Sequence, residues 1–382
     1  MPAHDCTRCA KLGLVTLCLS ACATPTEPTE PDPEEPPTCL DYEEIVSPVP
    51  DLPVTYQTEH LDIHVDGERF LCAGSAVDYE RFAQYVAAEL DIEIQRRVPV
   101  YAMRSVSGYC SASGGCATKD GVVFAKELSA YHELAHGVAC EVRTGAPALL
   151  AEGLARSLEP FANDQKGDPT QLSETRSKDF GPYYYHAGHF VRWLLEQLGP
   201  DAFKSIYRSA TYEDGVWSAI ETVYGAALAP DYAAEAPLMW IPHRQCADMP
   251  LLEPGAEGWT FAARLDCDDE ATLGPYEKTT RNLSNSNTEM YQSFLIDVPE
   301  PGKYRMERSD SLVHVRYERC LDEHPASEAA IDAEWVKKSP FFTFIDDYSI
   351  VEFEHAGLWR IDVLHEYGTP VDIWLTIVPE PG

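Results

Sequence analysis

Basic residues are scarce in this chain of 382 residues. Its 29 Lys and Arg stand against 63 Asp and Glu, which gives a formal net charge of −34 at pH 7. Nucleic acids and anionic lipid surfaces carry charge of the same sign and would be repelled. The sequence also lacks a phosphate-binding loop, a dinucleotide fingerprint, a GxSxG nucleophile turn and an internal repeat. We therefore expect no nucleic-acid partner, and neither nucleotide chemistry nor serine hydrolysis is indicated.

The apolar run near the N-terminus, residues 12–19, is too short to span a bilayer. Because Arg8 and Lys11 precede it and Leu19-Ser20-Ala21-Cys22 follows it, residues 1–21 are predicted to be a secretion signal. Leu-Ser-Ala-Cys resembles the bacterial lipobox, which implies that Cys22 carries a lipid that anchors the protein to a membrane. Ala in the next position implies the outer membrane. The expected location is the bacterial cell envelope, lipid-anchored, or the extracellular space.

A tether is predicted to follow the signal. Residues 23–37 contain six Pro and five acidic residues, and no apolar side chain larger than that of Ala. Such a segment stays extended and disordered, because it has nothing to bury. Residues 22–45 are therefore interpreted as the lipidated Cys22 and a Pro/Glu-rich tether that holds the folded part away from the bilayer.

Eight cysteines remain after the signal and Cys22, and an even number in an oxidising compartment favours disulfides. Cys110 and Cys116 flank a short loop and are expected to close it. Eight cysteines allow 105 pairings, and Cys267 with Cys320 is a guess based only on their shared domain.

The residues that carry chemistry are His132-Glu133-Leu134-Ala135-His136, which spell HExxH. Residues 126–143 have an apolar stripe of helical period, so both imidazoles are expected on one helix face, one turn apart. Two such imidazoles can bind one zinc ion, and the glutamate beside them can act as a general base. Cys140 lies one turn beyond His136, but a disulfide or a buried thiol is favoured over a ligand role.

A catalytic zinc site needs a third protein ligand, and two glutamates are candidates. Glu152 is preferred, since Gly145 and Pro147 predict a chain reversal that returns a second helix antiparallel to the first. The alternative, Glu141, lies five residues after His136 on the same predicted helix. It would therefore point about 140° away from that histidine.

HELAH followed by the segment Ala151-Glu152-Gly153-Leu154-Ala155 resembles the gluzincins, the thermolysin-like zinc peptidases, and especially their bacterial peptidase-MA-like relatives. The likeness covers roughly residues 54–225. It implies that His132, His136 and Glu152 bind zinc and that Glu133 is the general base and acid. The spacing between His136 and Glu152 is somewhat shorter than in thermolysin.

A further segment resembles the helix that follows the glutamate helix in those relatives, where a tyrosine precedes an Ala-Gly-x-Phe run. Tyr184 is the positional match for that tyrosine, before Ala187-Gly188-His189-Phe190. Its hydroxyl is expected to stabilise the oxyanion that forms when water attacks a peptide carbonyl. His186 and His189 are alternatives for this role.

The fold class expected from these patterns is α+β. Residues 46–240 are interpreted as a zincin-like domain with a small mixed sheet, an active-site helix and a helical C-terminal half. Strands are expected at 55–65 and 98–104, and an amphipathic helix at 78–90. After the HExxH motif, helices are expected around residues 147–158, 186–198, 200–209 and 213–224. Gly121-Val122-Val123-Phe124 is expected to be the edge strand against which an extended substrate pairs. The polar stretch 161–182 has no clear period and is expected to be a loop. A solvated connector is the default interpretation, and a border of the substrate cleft is the alternative.

After about residue 245 short β-rich segments replace helical patterns; residues 291–298 are the first predicted strand and residues 341–345 are among those that follow. Residues 246–382 are therefore predicted to form an all-β sandwich, and they resemble the pre-peptidase C-terminal type of domain that accompanies secreted bacterial peptidases. The resemblance implies a role in binding or stabilisation. Asp266, Asp268, Asp269 and Glu270 are interpreted as a solvated turn in preference to a calcium site.

Two functions are consistent with these observations. The first is a surface-anchored zinc metallopeptidase that hydrolyses a peptide or protein substrate, with Glu133 activating water. The second is a non-catalytic lipoprotein that keeps the zincin fold while its β-sandwich binds a surface or extracellular partner. The intact set of two histidines and two glutamates favours the first.

Overall fold

The structure is a computed structural model, and it describes residues 36–380 with internal gaps. The gaps are 43–44, 68–70, 112–113, 126–129, 161–163, 177–178, 241–245, 247, 275–288, 310–311, 322–347 and 367. The signal sequence, Cys22 and most of the predicted tether lie outside the described residues. So does the start of the predicted active-site helix, at 126–129.

A mixed five-stranded sheet forms the first part of the fold. Its strands are β1 (Tyr56–Gln57), β2 (Leu61–Val65), β3 (Val98–Ala102), β4 (Gly115–Ala117) and β5 (Val123–Ala125), in the order β1-β2-β3-β5-β4. The central strands β2, β3 and β5 are parallel, whereas β1 and β4 pair antiparallel at the two edges. β3 and β5 are almost wholly apolar, as expected of parallel strands buried on both faces, whereas β2 alternates the buried Leu61 and Ile63 with the half-buried Asp62 and His64.

The prediction that residues 121–124 form the edge strand is wrong. The segment Gly121-Val122-Val123-Phe124 leads into β5, which lies between β3 and β4 and so has no free edge. The edge beside it is β4, which pairs Cys116 with Phe124. Three residues are too few to show a strand period in the sequence, and for this reason β4 is not recognisable before the fold is known.

Six α-helices are found in the described part of the chain. They are α1 (Ala73–Leu90), α2 (Tyr131–Ala139), α3 (Ala148–Leu158), α4 (Tyr184–Ser209), α5 (Val216–Tyr224) and α6 (Leu228–Glu235). None of the helices in that part is long and apolar enough to cross a membrane. The helices predicted at 186–198 and 200–209 are the two arms of α4, which kinks at Gly199, where φ is 75°. Pro200 begins the second arm.

One hydrophobic core joins the sheet to the helices. It contains Phe82 and Leu90 of α1 together with Leu134 of α2 and Trp193 of α4, all at most 1% exposed. The apolar stripe predicted for residues 78–90 is thus buried. One side of α2 packs into this core, so the polar side chains of the helix lie on its opposite side.

The C-terminal region is β-rich, as predicted. Its strands are β6 (Trp259–Leu265), β7 (Glu289–Val298), β8 (Gly302–Arg308), β9 (His314–Arg319), β10 (Tyr348–Phe353), β11 (Gly357–Glu366) and β12 (Val371–Pro379). They form two antiparallel sheets, β10-β8-β12-β6 and β7-β11-β9. Both sheets contribute side chains to one buried cluster, which includes Phe294, Met306 and Ile361. The arrangement of the two sheets is therefore sandwich-like. A predicted strand at 341–345 lies outside the described residues.

Disulfides connect Cys39 with Cys140, Cys72 with Cys267, Cys110 with Cys116 and Cys246 with Cys320. The short Cys110–Cys116 loop is as predicted, and Cys140 is a disulfide partner as favoured. The guessed pair Cys267–Cys320 is wrong. Cys267 instead meets Cys72 because residues 267–274 dock on the start of α1, where Cys72 N donates to Gly274 O over 3.0 Å.

Candidate metal centre

Three side-chain atoms from α2 and α3 converge on one point. Glu152 Oε2 lies 3.0 Å from His132 Nε2 and 3.3 Å from His136 Nε2, and the two imidazole nitrogens are 3.2 Å apart. The histidines share a face of α2 because they are four residues apart. Gly145, with φ of 68°, allows the tight reversal that returns α3 alongside α2 and brings Glu152 to the histidines.

The spacing of these three atoms fits a small cation. Ligands at about 2.0 to 2.1 Å around a tetrahedral zinc ion lie roughly 3.3 Å from one another, close to the three distances found here. Two imidazoles and one carboxylate are also the donor types that zinc prefers in catalytic sites. The side chains of His132, His136 and Glu152 keep 21%, 17% and 18% of their surface exposed, so the site is open to solvent on one side.

Electrostatics within the cluster favour a shared positive charge. Burial raises the pKa of Glu152, but hydrogen bonds with His132 and His136 outweigh burial and hold it well below its ordinary value. Burial lowers the pKa of His132, whereas hydrogen bonds with Glu152 and Glu159 raise it to about 10. A proton or a metal ion between these groups satisfies the same charge requirement.

Glu133 lies beside the cluster, on the side of the edge strand β4. A Cβ atom at Gly115 would come within 2.7 Å of Glu133 Cγ and 2.9 Å of its Oε1, so the glycine is in close contact with this carboxylate. Burial is the largest effect and raises the pKa of Glu133. The nearby His136 and His132 lower this pKa, whereas the negative charges of Glu152 and Glu159 raise it further, and the net effect is a raised pKa. A carboxylate with a raised pKa is a better proton acceptor at neutral pH.

Glu159 was not identified from the sequence. Its Oε1 accepts a hydrogen bond from Nδ1 of His132 over 2.7 Å, which leaves Nε2 of that histidine free to face Glu152. A carboxylate behind a metal-binding histidine fixes the orientation and tautomer of the ring. Glu159 follows Glu152 by seven residues, two helical turns further along, and this spacing was the available signal.

Tyr184 also lies against the cluster, at the start of α4. Its ring centroid is 5.5 Å from that of His132, and its hydroxyl is hydrogen-bonded to Glu152. Burial raises the pKa of this phenol, and the negative charges of Glu152 and Glu133 raise it further. The phenol therefore keeps its proton at neutral pH.

The alternative residues are engaged elsewhere. His189 is fully buried and bonds Tyr232 Oη and Pro237 O, each over 2.8 Å, while His186 Nδ1 bonds Gln165 O over 3.0 Å. Glu141 accepts hydrogen bonds from Gln95 N at 3.0 and 3.2 Å and takes no part in the cluster.

Another histidine and carboxylate group, at Glu59, His60 and Glu80, is also compact enough for a metal. Glu80 accepts from His60 N over 3.0 Å and from Thr58 Oγ1 over 2.6 Å, while its other oxygen meets Nδ1 of His60 at 2.6 Å. These bonds fix the turn before β2, which accounts for the group.

The acidic turn at 266–270 is capped by its own carboxylates. Asp266 Oδ1 accepts from Asp268 N over 3.2 Å, and Asp269 Oδ1 accepts from Ala271 N over 2.9 Å. This agrees with its interpretation as a solvated turn.

Comparison of the chain with protein-family models, with curated protein sequences and with solved structures gives no match.

Proposed function

We propose that this protein is a zinc metallopeptidase of the gluzincin type, in which a zincin-like domain over residues 46–240 is followed by a β-sandwich accessory domain. The observation that carries the proposal is the convergence of His132 Nε2, His136 Nε2 and Glu152 Oε2 within 3.3 Å, with Glu133 of the same helix beside them. A site of three such ligands with one open side is typical of catalytic zinc.

His132, His136 and Glu152 would hold the metal. A bound zinc ion polarises a carbonyl oxygen and lowers the pKa of water, which is the chemistry that such a centre supplies. The role of Glu133 is to accept the proton of the attacking water and later to donate it to the leaving amine. Its partial burial supports this role, because a carboxylate with a raised pKa can both take up and release a proton near neutrality.

Tyr184 is proposed to donate a hydrogen bond to the oxyanion of the tetrahedral intermediate. Two observations support this role: its ring lies 5.5 Å from that of His132, and its hydroxyl stays protonated at neutral pH. An extended peptide substrate is proposed to pair with β4, which has one neighbour in the described sheet and lies against Glu133.

The proposed setting is the bacterial cell envelope, with the chain anchored to a membrane through lipid on Cys22. Four disulfides support an oxidising compartment. A negative net charge of −34 is consistent with a partner that is neither nucleic acid nor an anionic membrane surface.

The test uses the mature chain, purified and analysed for metal by mass spectrometry and for hydrolysis of denatured protein substrates. We expect about one zinc per chain, and peptide hydrolysis that Glu133→Gln abolishes while the zinc content stays unchanged. Glu141→Gln is the matched control, since that carboxylate binds Gln95 N away from the cluster. A chain without stoichiometric zinc would refute the proposal and favour the non-catalytic alternative. Full activity in Glu133→Gln would refute the assigned base.

A further inference from the structure

A line of charged side chains leads from the candidate metal ligands to the loop at 161–182. Glu159, which bonds His132 with one oxygen, accepts from Arg156 Nη1 with the other over 2.6 Å. Arg156 in turn donates through Nε to Asp164 Oδ1 over 2.9 Å. Three consecutive contacts of less than 3 Å thus connect His132 with a residue of the loop.

Asp164 is buried, although it belongs to a stretch that the sequence suggests is a solvated connector. Its side chain is 3% exposed and that of Arg156 is 17% exposed, so the ion pair is shielded from water. The ring of Tyr185 covers Arg156, with 4.6 Å between the guanidinium carbon and the ring centroid. A shielded pair of this kind holds a defined geometry, because breaking it leaves an uncompensated buried charge.

The pair is also packed tightly against α4. A Cβ atom at Gly188 would come within 2.3 Å of Asp164 Oδ2 and 2.6 Å of Arg156 Cγ. Only glycine at this position leaves room for the two charged side chains. The guanidinium therefore has little freedom to move away from Glu159.

The backbone of the loop makes hydrogen bonds of its own beside the contact of the Asp164 carboxylate. The backbone of residues 164–166 is held by Trp240 N donating to Asp164 O over 3.2 Å and by Lys166 N donating to Leu238 O over 3.1 Å. The hydrogen bond from Arg156 to the Asp164 carboxylate is thus additional to these backbone bonds.

We infer that Arg156 and Asp164 are positioning residues of the metal centre, which act through Glu159 to fix the ring of His132. This inference rests on the proposed zinc site and adds to it a functional assignment for the loop. Arg156 orients the Glu159 carboxylate, and that carboxylate holds the proton on Nδ1 so that the lone pair of Nε2 faces the metal position. Asp164 keeps the guanidinium in place from the far side.

The test measures the zinc dissociation constant of Asp164→Asn, Glu159→Gln and the double variant by competition with a chelator at one pH. Loss of an outer carboxylate typically weakens metal binding by about 10- to 100-fold. We expect losses within this range for both single variants. Because the residues act in series, the double variant should bind zinc within about threefold of Glu159→Gln alone.

Asp168→Asn is the matched control in the same loop, since Asp168 Oδ1 accepts only from Thr170 N and Oγ1 among the contacts described, at 3.0 and 2.6 Å. Its zinc affinity should equal that of the wild type. Arg156→Lys provides a second variant, which keeps the charge but loses the planar fork that spans two carboxylates. It should bind zinc more weakly than the wild type, while the metal-free protein still unfolds in one cooperative thermal transition.

Unchanged zinc affinity in both Asp164→Asn and Arg156→Lys would overturn the inference while leaving the zinc site intact. If the fold-losses in zinc affinity of the two single variants multiplied in the double variant, Asp164 would not act through Glu159. A wild-type chain that binds no zinc would instead remove the proposed function itself. If zinc binds but no peptide is cleaved, the positioning role stands on the affinities alone.

Discussion

Glu152 Oε2 lies 3.0 Å from Nε2 of His132, although the two residues are 20 positions apart in the chain. The reversal between α2 and α3 creates this contact, and it leaves a carboxylate directly opposite two imidazoles. Without a proton or a metal between them, the three groups offer only electron pairs to one another. The contact therefore makes Glu152 the third member of the cluster, beside His132 and His136.

Replacement of Glu152 by Gln should weaken zinc binding by more than about 100-fold, beyond the range typical of outer carboxylates. The neutral amide is a poor zinc ligand, and it also removes the negative charge that balances the cation. Chelator competition on the metal-free protein measures the effect, with Glu141→Gln as the control that should bind zinc like the wild type. Similar affinities for Glu152→Gln and Glu141→Gln would rule out Glu152 as a ligand.

Gly115 is expected to control the position of Glu133. In Gly115→Ala the new Cβ would meet Phe124 O at 2.6 Å and Glu133 Cγ at 2.7 Å, so the strand and the glutamate must separate. A displacement of about 1 Å at a catalytic group can cost about 100-fold in rate. We expect kcat to fall by about 10- to 100-fold with the zinc content unchanged.

The neighbouring Gly114 is the control for this substitution, because a Cβ at that position has no atom within 4 Å. Kinetics of Gly114→Ala should match those of the wild type. If Gly115→Ala kept full kcat, the tight contact with Glu133 would have no catalytic importance.

Local sequence patterns were sufficient to predict that His132, His136 and Glu152 lie together. The four-residue spacing of His132 and His136 and the turn signals at Gly145 and Pro147 act over short distances, where helix geometry is nearly fixed. The Cys110–Cys116 disulfide was predictable for the same reason, since the loop itself brings its ends together. These features needed no knowledge of the tertiary fold.

Features that depend on packing between distant segments were not accessible. Cys72 pairs with Cys267 across 195 residues because residues 267–274 dock on α1, and no local pattern encodes that contact. Asp164 lies in a polar stretch, and polar composition alone indicates solvent, so its burial beside Arg156 was not foreseen. The edge strand β4 was missed because three residues carry no detectable period.

The docking of residues 267–274 on α1 predicts an unusual effect of a glycine substitution. Gly74 lies in the first turn of α1, where Ala would normally favour the helix by about 1 kcal/mol. A Cβ at this position would approach the backbone oxygens of Thr272 at 2.5 Å and Glu270 at 2.7 Å, and backbone atoms cannot easily move aside. We expect Gly74→Ala to lower the free energy of unfolding by about 1 to 3 kcal/mol, as overpacking typically does.

Urea unfolding with intact disulfides measures this change. Gly67→Ala is the comparison, since a Cβ there has no atom within 4 Å. It should leave the free energy of unfolding within about 0.5 kcal/mol of the wild type, as is usual at surface positions. A stabilised Gly74→Ala would mean that helix propensity outweighs the contact with residues 270–272.

Asp120 is expected to make the stability of the fold depend on acid pH. Its carboxylate accepts hydrogen bonds from Val46 N over 2.7 Å, from Ser47 N over 2.8 Å and from Ser47 Oγ over 2.6 Å. Burial raises its pKa, but the bonds from Ser47, Thr118 and Val46 outweigh burial and lower it to about 2. The ordinary value in an unfolded chain is about 3.9.

Because the folded-state pKa of Asp120 lies below the unfolded one, its contribution to stability is fully present above about pH 4 and is lost as the pH falls towards about 2. The contribution is about 2 to 3 kcal/mol, by conversion of the pKa difference. Asp120→Asn should therefore lower the free energy of unfolding at pH 7 by about this amount and flatten its dependence on pH between 4 and 2. Urea unfolding across that pH range is the measurement, with the exposed Asp51→Asn as control. Equal slopes for wild type and Asp120→Asn in this window would show that the carboxylate does not anchor residues 46–47 in the way its hydrogen bonds indicate.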